Sequence, residues 1–470
     1  MAITGNYTPA PAAVKQAAPG NYLDFTTQST SVADLNWAQQ YVPDLVAKES
    51  EVFGNRSVAG FLSKVGAEEA MAADQVVWSE QGRLHLSYQG DISGETIIID
   101  KDTDGTAVTG QCGVRAGDMI VVSDATHTAK CFVISVSGLT LTVKPYTAAD
   151  LAGANLSGEV QVMVFGSEYV KGSVGRDSVN TPGFKSFSNN PIILKDKYEV
   201  SGSDASQVGW VEVTGEEGQN GYLWYLKASG DTRARFNDYL EMAMIESEKA
   251  TGTAPAATQT DATGDIKGTE GLFAAINDRG NTTADALSMD TFDLILKEFD
   301  KNGAIEENMM FLDRTEALAV DDMLAGMNGG TYTGGATTSY GVFDNDEDMA
   351  LNLGFSGFRR GSYDFYKTDW KYLNDLATRG IINADNSAAV RGVIIPAGVS
   401  SVYDQSLGKN LKRPFLHVRY RASQTESRKY KTWTTGSVGA VTSDLDMMEM
   451  HYLSERCLVV QGANNFLLLN

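Results

Sequence analysis

The side chains of this chain best suited to acid–base, nucleophilic or metal chemistry are four histidines, three cysteines and a surplus of carboxylates. His85, His127, His417 and His451 stand apart from one another, and none belongs to an HExxH pair. Cys112, Cys131 and Cys457 have neither CxxC nor zinc spacing, so free reduced thiols are expected. The sequence contains no GxSxG, GxGxxG or GxxxxGK[ST]. The glycine-rich run Gly329–Gly341 lacks the lysine that a phosphate cradle needs and reads as a mobile loop. One string is metal-like: Asp100, Asp102 and Asp104 with Gly105, in DKDTDG. Alternate oxygens and a turn-forming glycine open a calcium loop. The closing position holds Gln111 in place of Glu, and the preceding ETIII reads as strand. A β-turn without metal is the plainer reading of that string. No catalytic pair and no cofactor site emerges, and an enzyme is not expected.

A second chemistry is electrostatic. Lys409, Lys412, Arg413, Arg419, Arg421, Arg428, Lys429 and Lys431 fall in one stretch against a single acid, Glu426. They form either a solvated strand face or a contact with an acidic neighbouring copy or packaged phosphate. The whole chain carries a formal net charge of −22. Such a balance favours solubility and disfavours nucleic-acid binding overall.

The elements that position these residues are set by periodicity and punctuation. With 470 residues, 42% of them hydrophobic, the chain can bury a sizeable core in roughly two to four domains. The first 20 residues contain no apolar h-region, so no secretory signal is expected, and no apolar run approaches a membrane span. Residues 1–50 read as an extended Ala/Pro-rich arm followed by a helix, and the arm is expected to be ordered by a neighbouring subunit. Residues 51–90 form a connector and a strand. Residues 91–165 contain short β-prone runs such as ETIIID, DMIVVSD and KCFVISVSG, which predict a small antiparallel barrel inserted in a larger β element. LHLSYQG and VQVMVFGSEY are expected to lead into and out of it.

Residues 166–215 read as a long two-stranded excursion with a loose tip, and it should lie on a partner because a lone hairpin is marginal in water. Within 216–270, Tyr222–Lys249 predicts a long helix. Phe236, Tyr239, Leu240 and Ala243 recur at helical spacing, no proline interrupts it, and its reach is roughly 40 Å. Asp231 after Gly230 is a candidate second start. Residues 271–405 add helices near 283–302 and 313–327 and a buried strand, VRGVIIP; residues 406–470 supply closing strands.

In this order the elements resemble the major capsid protein of tailed double-stranded DNA bacteriophages, the Hong Kong 97-type fold, and in texture those of the crAss-like phages. VFGNRSVAGFLSKVGAEEA with DQVVWSEQGRL, FKSFSNNPIILKDKYEVSG, TEGLFAAI, FLDRTEALAVDDM and LSERCLVVQGANNFLLL carry the likeness, with the 222–249 helix placed like the spine helix. The resemblance implies an α+β chain with an N-arm, an extended loop bearing the barrel, a peripheral domain with the spine, and an axial domain. It implies a non-enzymatic subunit of hexamers and pentamers in an icosahedral shell around the phage genome. Its partners would be other copies of itself, portal, scaffold or auxiliary capsid proteins, and packaged double-stranded DNA through weak non-specific contact. Its place would be the virion capsid, and the host bacterial cytoplasm during assembly. Tyr169, Lys171, Arg176, Asp177, Phe184, Lys185 and Phe187 would then meet neighbouring subunits. The alternative is a tail, fibre or capsid-decoration binding protein, which the embedded barrel favours.

Overall fold

The computed structural model describes residues 61–62, 67–83, 85–103, 105–175, 184–205, 213–214, 220–221, 224–250, 260–261, 264–328, 357–385, 389–397, 399–404, 409–438 and 441–470. The N-terminal arm and helix, the Gly329–Gly341 run and the acidic DNDEDM run lie outside the described residues. Two units are distinguished: Trp78–Phe187, and Met1–Val77 with Ser188–Asn470.

The chain enters through β1 (Ala67–Met71) and β2 (Val76–Gln81). Six strands come next: β3 (Ser87–Ser93), β4 (Thr96–Asp102), β5 (Asp118–Ser123), β6 (Thr128–Ser137), β7 (Thr140–Pro145) and β8 (Glu159–Ser167). They close into a barrel in the order β3-β4-β7-β6-β5-β8. Successive side chains of a strand point to opposite faces. In β5, Ile120 and Val122 therefore fill the interior, where they join Ile97, Cys131, Leu141 and Val162. The described parts of LHLSYQG and VQVMVFGSEY enter and leave the barrel, as expected, but as part of its wall. They supply staves β3 and β8, which pair with each other. A barrel closes only when its first and last strands pair, and that contact between distant segments leaves no mark in local alternation.

The strand that pairs with β2 is β9 (Phe184–Asn189). After it come β10 (Ile192–Ser201) and the long helix α1 (Trp224–Glu246). α1 runs unbroken through Gly230, so the second start at Asp231 does not occur. Its buried stripe is Phe236, Leu240, Met244 and Ile245, while Tyr239 faces outward at 47% exposure. Beyond it lie α2 (Leu272–Arg279), β11 (Asn281–Thr283), α3 (Met289–Asn302), β12 (Glu307–Leu312) and α4 (Arg314–Asn328). α3 starts where the Ser288 hydroxyl accepts the Thr291 N–H at 3.2 Å, and ends at Gly303 in the left-handed region. Further on are β13 (Gly357–Arg360), β14 (Tyr363–Asp369), β15 (Gly392–Pro396), β16 (Val399–Asp404) and β17 (Lys409–Pro414). The chain closes with β18 (Leu416–Arg421), β19 (Lys431–Gly436), β20 (Met447–Val460) and β21 (Leu467–Leu469).

These strands build two main sheets in the larger unit. The first has the order β1-β18-β20-β10, with β19 also on β20. The second is mixed, β11-β21-β15-β12-β14-β13. In the second, alternation sorts the core. Met310, Leu312, Ile394, Leu467 and Leu469 face Phe292, Phe299 and Val320 of α3 and α4. Their neighbours Phe311, Val393, Ile395 and Leu468 face the opposite way. There they meet α2, the end of α1 and Leu416, Val418, Leu458 and Val460 of the first sheet. Each such large side chain contributes about 1.5–3 kcal/mol on burial. β15 is buried at every position, as VRGVIIP predicted. The expected two-stranded excursion within 166–215 is corrected: β9 pairs with β2, and β10 pairs with β20 across ten residue pairs from Ile192↔Arg456 to Ser201↔Met447. Partners about 110 and 250 positions away supply those ladders, which a local reading of the hairpin pattern cannot see.

Candidate functional site

The candidate site is the excursion from β2 to β9 together with the two segments of the larger unit that flank it in sequence. Its outgoing end is β1, an edge strand lying parallel to β18, with Glu69 opposite Arg419 and Met71 opposite Arg421. Opposite charges facing each other across a ladder stabilise the pairing. Arg419 holds Glu69 at 2.8 Å, Lys429 pairs with Glu68, and Arg421 pairs with Asp74 while donating to the Ala72 carbonyl at 3.2 Å. Buried Glu455 sits between Arg421 and Arg428, 2.7 Å from each guanidinium Nε. Lys431 lies 2.6 Å from Glu426, and its hydrogen bond, followed by its charge, holds that carboxyl below the ordinary range. Every described cation of the basic stretch thus faces a carboxylate of its own chain. The side chains of Lys409, Lys412 and Arg413 lie outside the described residues, although their backbone forms β17 against β16.

The returning end is fastened by different chemistry. Asn189 is fully buried. Its Nδ2 donates to the carbonyls of Glu270 at 2.9 Å and Leu458 at 2.7 Å. Its Oδ1 accepts from the N–H groups of Glu270 and Asn190 at 2.7 and 2.8 Å and from the Thr269 hydroxyl at 3.2 Å. Lys249 Nζ donates to the Ser188 carbonyl at 3.2 Å and hydroxyl at 3.1 Å. Gly268 makes the approach possible. Its φ is +65°, and a Cβ there would lie 2.4 Å from the Glu248 carbonyl oxygen. The only sequence sign of this clamp is the turn-forming pair Asn190–Pro191 just after it. Nothing local marks Asn189 as buried.

Of the residues expected at subunit contacts, Tyr169 is 43% exposed and lies over Gly117, where an added Cβ would stand 3.1 Å from its ring. Lys171 is exposed, beside Val170 and Val174, which are 81% and 82% exposed. Lys185 rests its ammonium 5.3 Å from the Phe187 ring centroid, and Phe187 lies 6.1 Å from Trp78. Arg176, Asp177 and the Phe184 side chain lie outside the described residues.

The remaining candidates are dispersed. In the DKDTDG string the Gly105 N–H donates to the Asp102 carbonyl at 2.9 Å, and the Thr103 N–H to the Asp102 carboxylate at 2.7 Å, so the described part makes a turn. Asp104 lies outside the described residues. Among the described residues no group of three His, Cys, Asp or Glu could hold a metal. His85 is exposed, His417 is buried beside Arg419, the His127 ring lies 2.7 Å from the Thr126 hydroxyl, and His451 stacks on Trp433 at 5.0 Å. The three thiols are free. No described helix is long and apolar enough to cross a membrane.

No protein-family model matches the sequence. No curated protein matches it either. Among solved structures the chain is similar to the mature capsid of bacteriophage PhiM1, with TM-score 0.41 and 8% identity, covering 91% of each chain. It is similar to the capsid of Cyanophage P-SCSP1u, with TM-score 0.40 and 10% identity, covering 92% of this chain and 93% of that one. It is also similar to a structure from Microbacterium phage Oxtober96, with TM-score 0.39 and 10% identity, covering 93% and 99%.

Proposed function

We propose that this chain is a self-assembling shell subunit, a phage major capsid protein whose hexamers and pentamers close around packaged double-stranded DNA. The observation that carries the reading is the excursion: a closed barrel with its own core, borne on the two-stranded ribbon β2–β9 and fastened at both ends. A two-stranded ribbon is marginal in water by itself, so a neighbouring copy is the natural support. Val170 and Val174 are left for such a neighbour. The order of sequence motifs supports the same assignment. Many modest contacts between copies would add up through closure of the shell. Portal, scaffold or auxiliary proteins are the further partners of this reading.

Negative-stain electron microscopy of the expressed protein tests it, and closed megadalton particles are the expected result. A variant lacking residues 172–183 keeps β9 and should remain folded by circular dichroism without forming particles. Particles of normal size from that variant would contradict the role given to the excursion. The barrel favours a second reading, a tail, fibre or decoration protein, which would instead give a discrete trimer or small ring in light scattering.

A further inference from the structure

We propose that the two segments of the larger unit that flank the excursion are unlike by design: the outgoing one, β1, is held by an electrostatic latch that ionic strength loosens, and the returning one, Ser188–Asn190, by a neutral buried anchor. The inference rests on the shell reading only in giving the latch a purpose.

The chemistry of the two ends differs in kind. β1 is a five-residue edge strand whose one ladder partner among the described residues is β18. Met71 is buried beside Cys457 and its carbonyl accepts the Ala422 N–H at 3.0 Å, and around that single apolar anchor stand ion pairs: Glu68 with Lys429, Glu69 with Arg419, and Asp74 with Arg421. Asp74 is 85% exposed and Glu68 42%. Exposed pairs are weak singly and are screened by salt. Raising salt from about 0.1 M to about 1 M shortens the Debye length from about 10 Å to about 3 Å. Arg421 is the shared member, since it holds Asp74, Glu455 and the Ala72 carbonyl together. At the returning end Asn189 carries no charge, is fully buried, and uses both amide hydrogens and its oxygen on partners within the larger unit. Screening leaves such neutral, dry hydrogen bonds untouched. Lys249 at the returning end donates to the neutral Ser188 carbonyl and hydroxyl and forms no ion pair there, so a change of salt acts chiefly on the outgoing end. β1 loosens on β18, while Ser188–Asn190 stay held by the partners of Asn189.

Hydrogen exchange read by mass spectrometry on the unassembled full chain tests this. Between low and high salt, amides of residues 67–72 should lose about tenfold in protection. Amides of 188–194 should stay constant, with β15 as the internal reference. In Arg421→Gln, residues 67–72 should exchange at low salt as the parent does at high salt, with little further response. Should that variant fail to fold, Lys429→Gln removes an exposed pair and should shift the response in the same direction. Asn189→Ala should speed exchange at 188–190 equally at both salts. Equal salt response at both ends, or none at 67–72, overturns the proposal. Particles without the salt response would sink the latch and leave the shell reading intact; the response without particles would do the reverse.

Discussion

Cys131 and Cys457 illustrate what burial does to a reactive group. Both are fully buried, and desolvation of the charged thiolate pushes them up to about 11 and about 12. A raised value means the protonated thiol persists to higher pH, and the thiol reacts only as thiolate. Cys112 is half-buried and shifted upward in the same sense. At about pH 8, just below the ordinary thiol range, N-ethylmaleimide should modify Cys112 first. Cys131 and Cys457 should react only on unfolding, which intact-mass analysis will track; rapid labelling of Cys457 in the folded chain would contradict the burial. Spacing alone was enough to expect free thiols, but not to rank them. The basic stretch divides the same way. Its charge was plain in the sequence, whereas its partners Glu68, Glu69, Asp74 and Glu455 belong to segments far along the chain.

α1 shows how an element legible in sequence acquires its role through its ends. Residues 222–249 were expected to be helical, and Trp224–Glu246 are. Glu241 accepts the Leu62 N–H at 2.9 Å. Glu246 accepts the Tyr372 hydroxyl at 2.6 Å and pairs with Arg379, whose guanidinium also lies 5.2 Å from the Phe273 centroid. Burial and the Glu246 carboxylate both raise the Tyr372 phenol well above its usual range. Glu246→Ala leaves a phenol and a guanidinium without their acceptor, at a cost of about 1–3 kcal/mol in urea unfolding. Glu246→Gln, which still accepts from Tyr372, should lose less. A change within error for both would mean the clasp adds nothing. Gly230 was a fair reason to expect a break, since glycine weakens a helix interior by about 1 kcal/mol. Packing of Phe236, Leu240 and Met244 on one face outweighs that cost.

At the scale of the molecule, the barrel's core shares no residue with the cores of the larger unit. Separate cores need not melt together. Calorimetry of the full chain should therefore show more than one transition, or a van't Hoff enthalpy below the calorimetric one. A single transition with equal enthalpies would contradict that independence. The net charge of −22 belongs to this scale as well. It keeps separate copies apart at low salt, so assembly should draw on apolar and strand contacts more than on bulk charge.

The sequence by itself determined what depends on neighbours along the chain: the α1 helix, the strand-rich barrel segment, the fully buried β15, the free thiols and the acidic balance. Periodicity and turn residues act over a few positions, so they can be read in line. Tertiary structure alone decided which strands are partners, that LHLSYQG and VQVMVFGSEY are staves, and that β10 lies on β20. It alone buried Asn189 and set Arg419, Arg421, Arg428 and Lys429 against carboxylates distant in the chain. Those outcomes are set by ladders and ion pairs between residues separated by tens to hundreds of positions, and no local pattern encodes which distant segment will arrive.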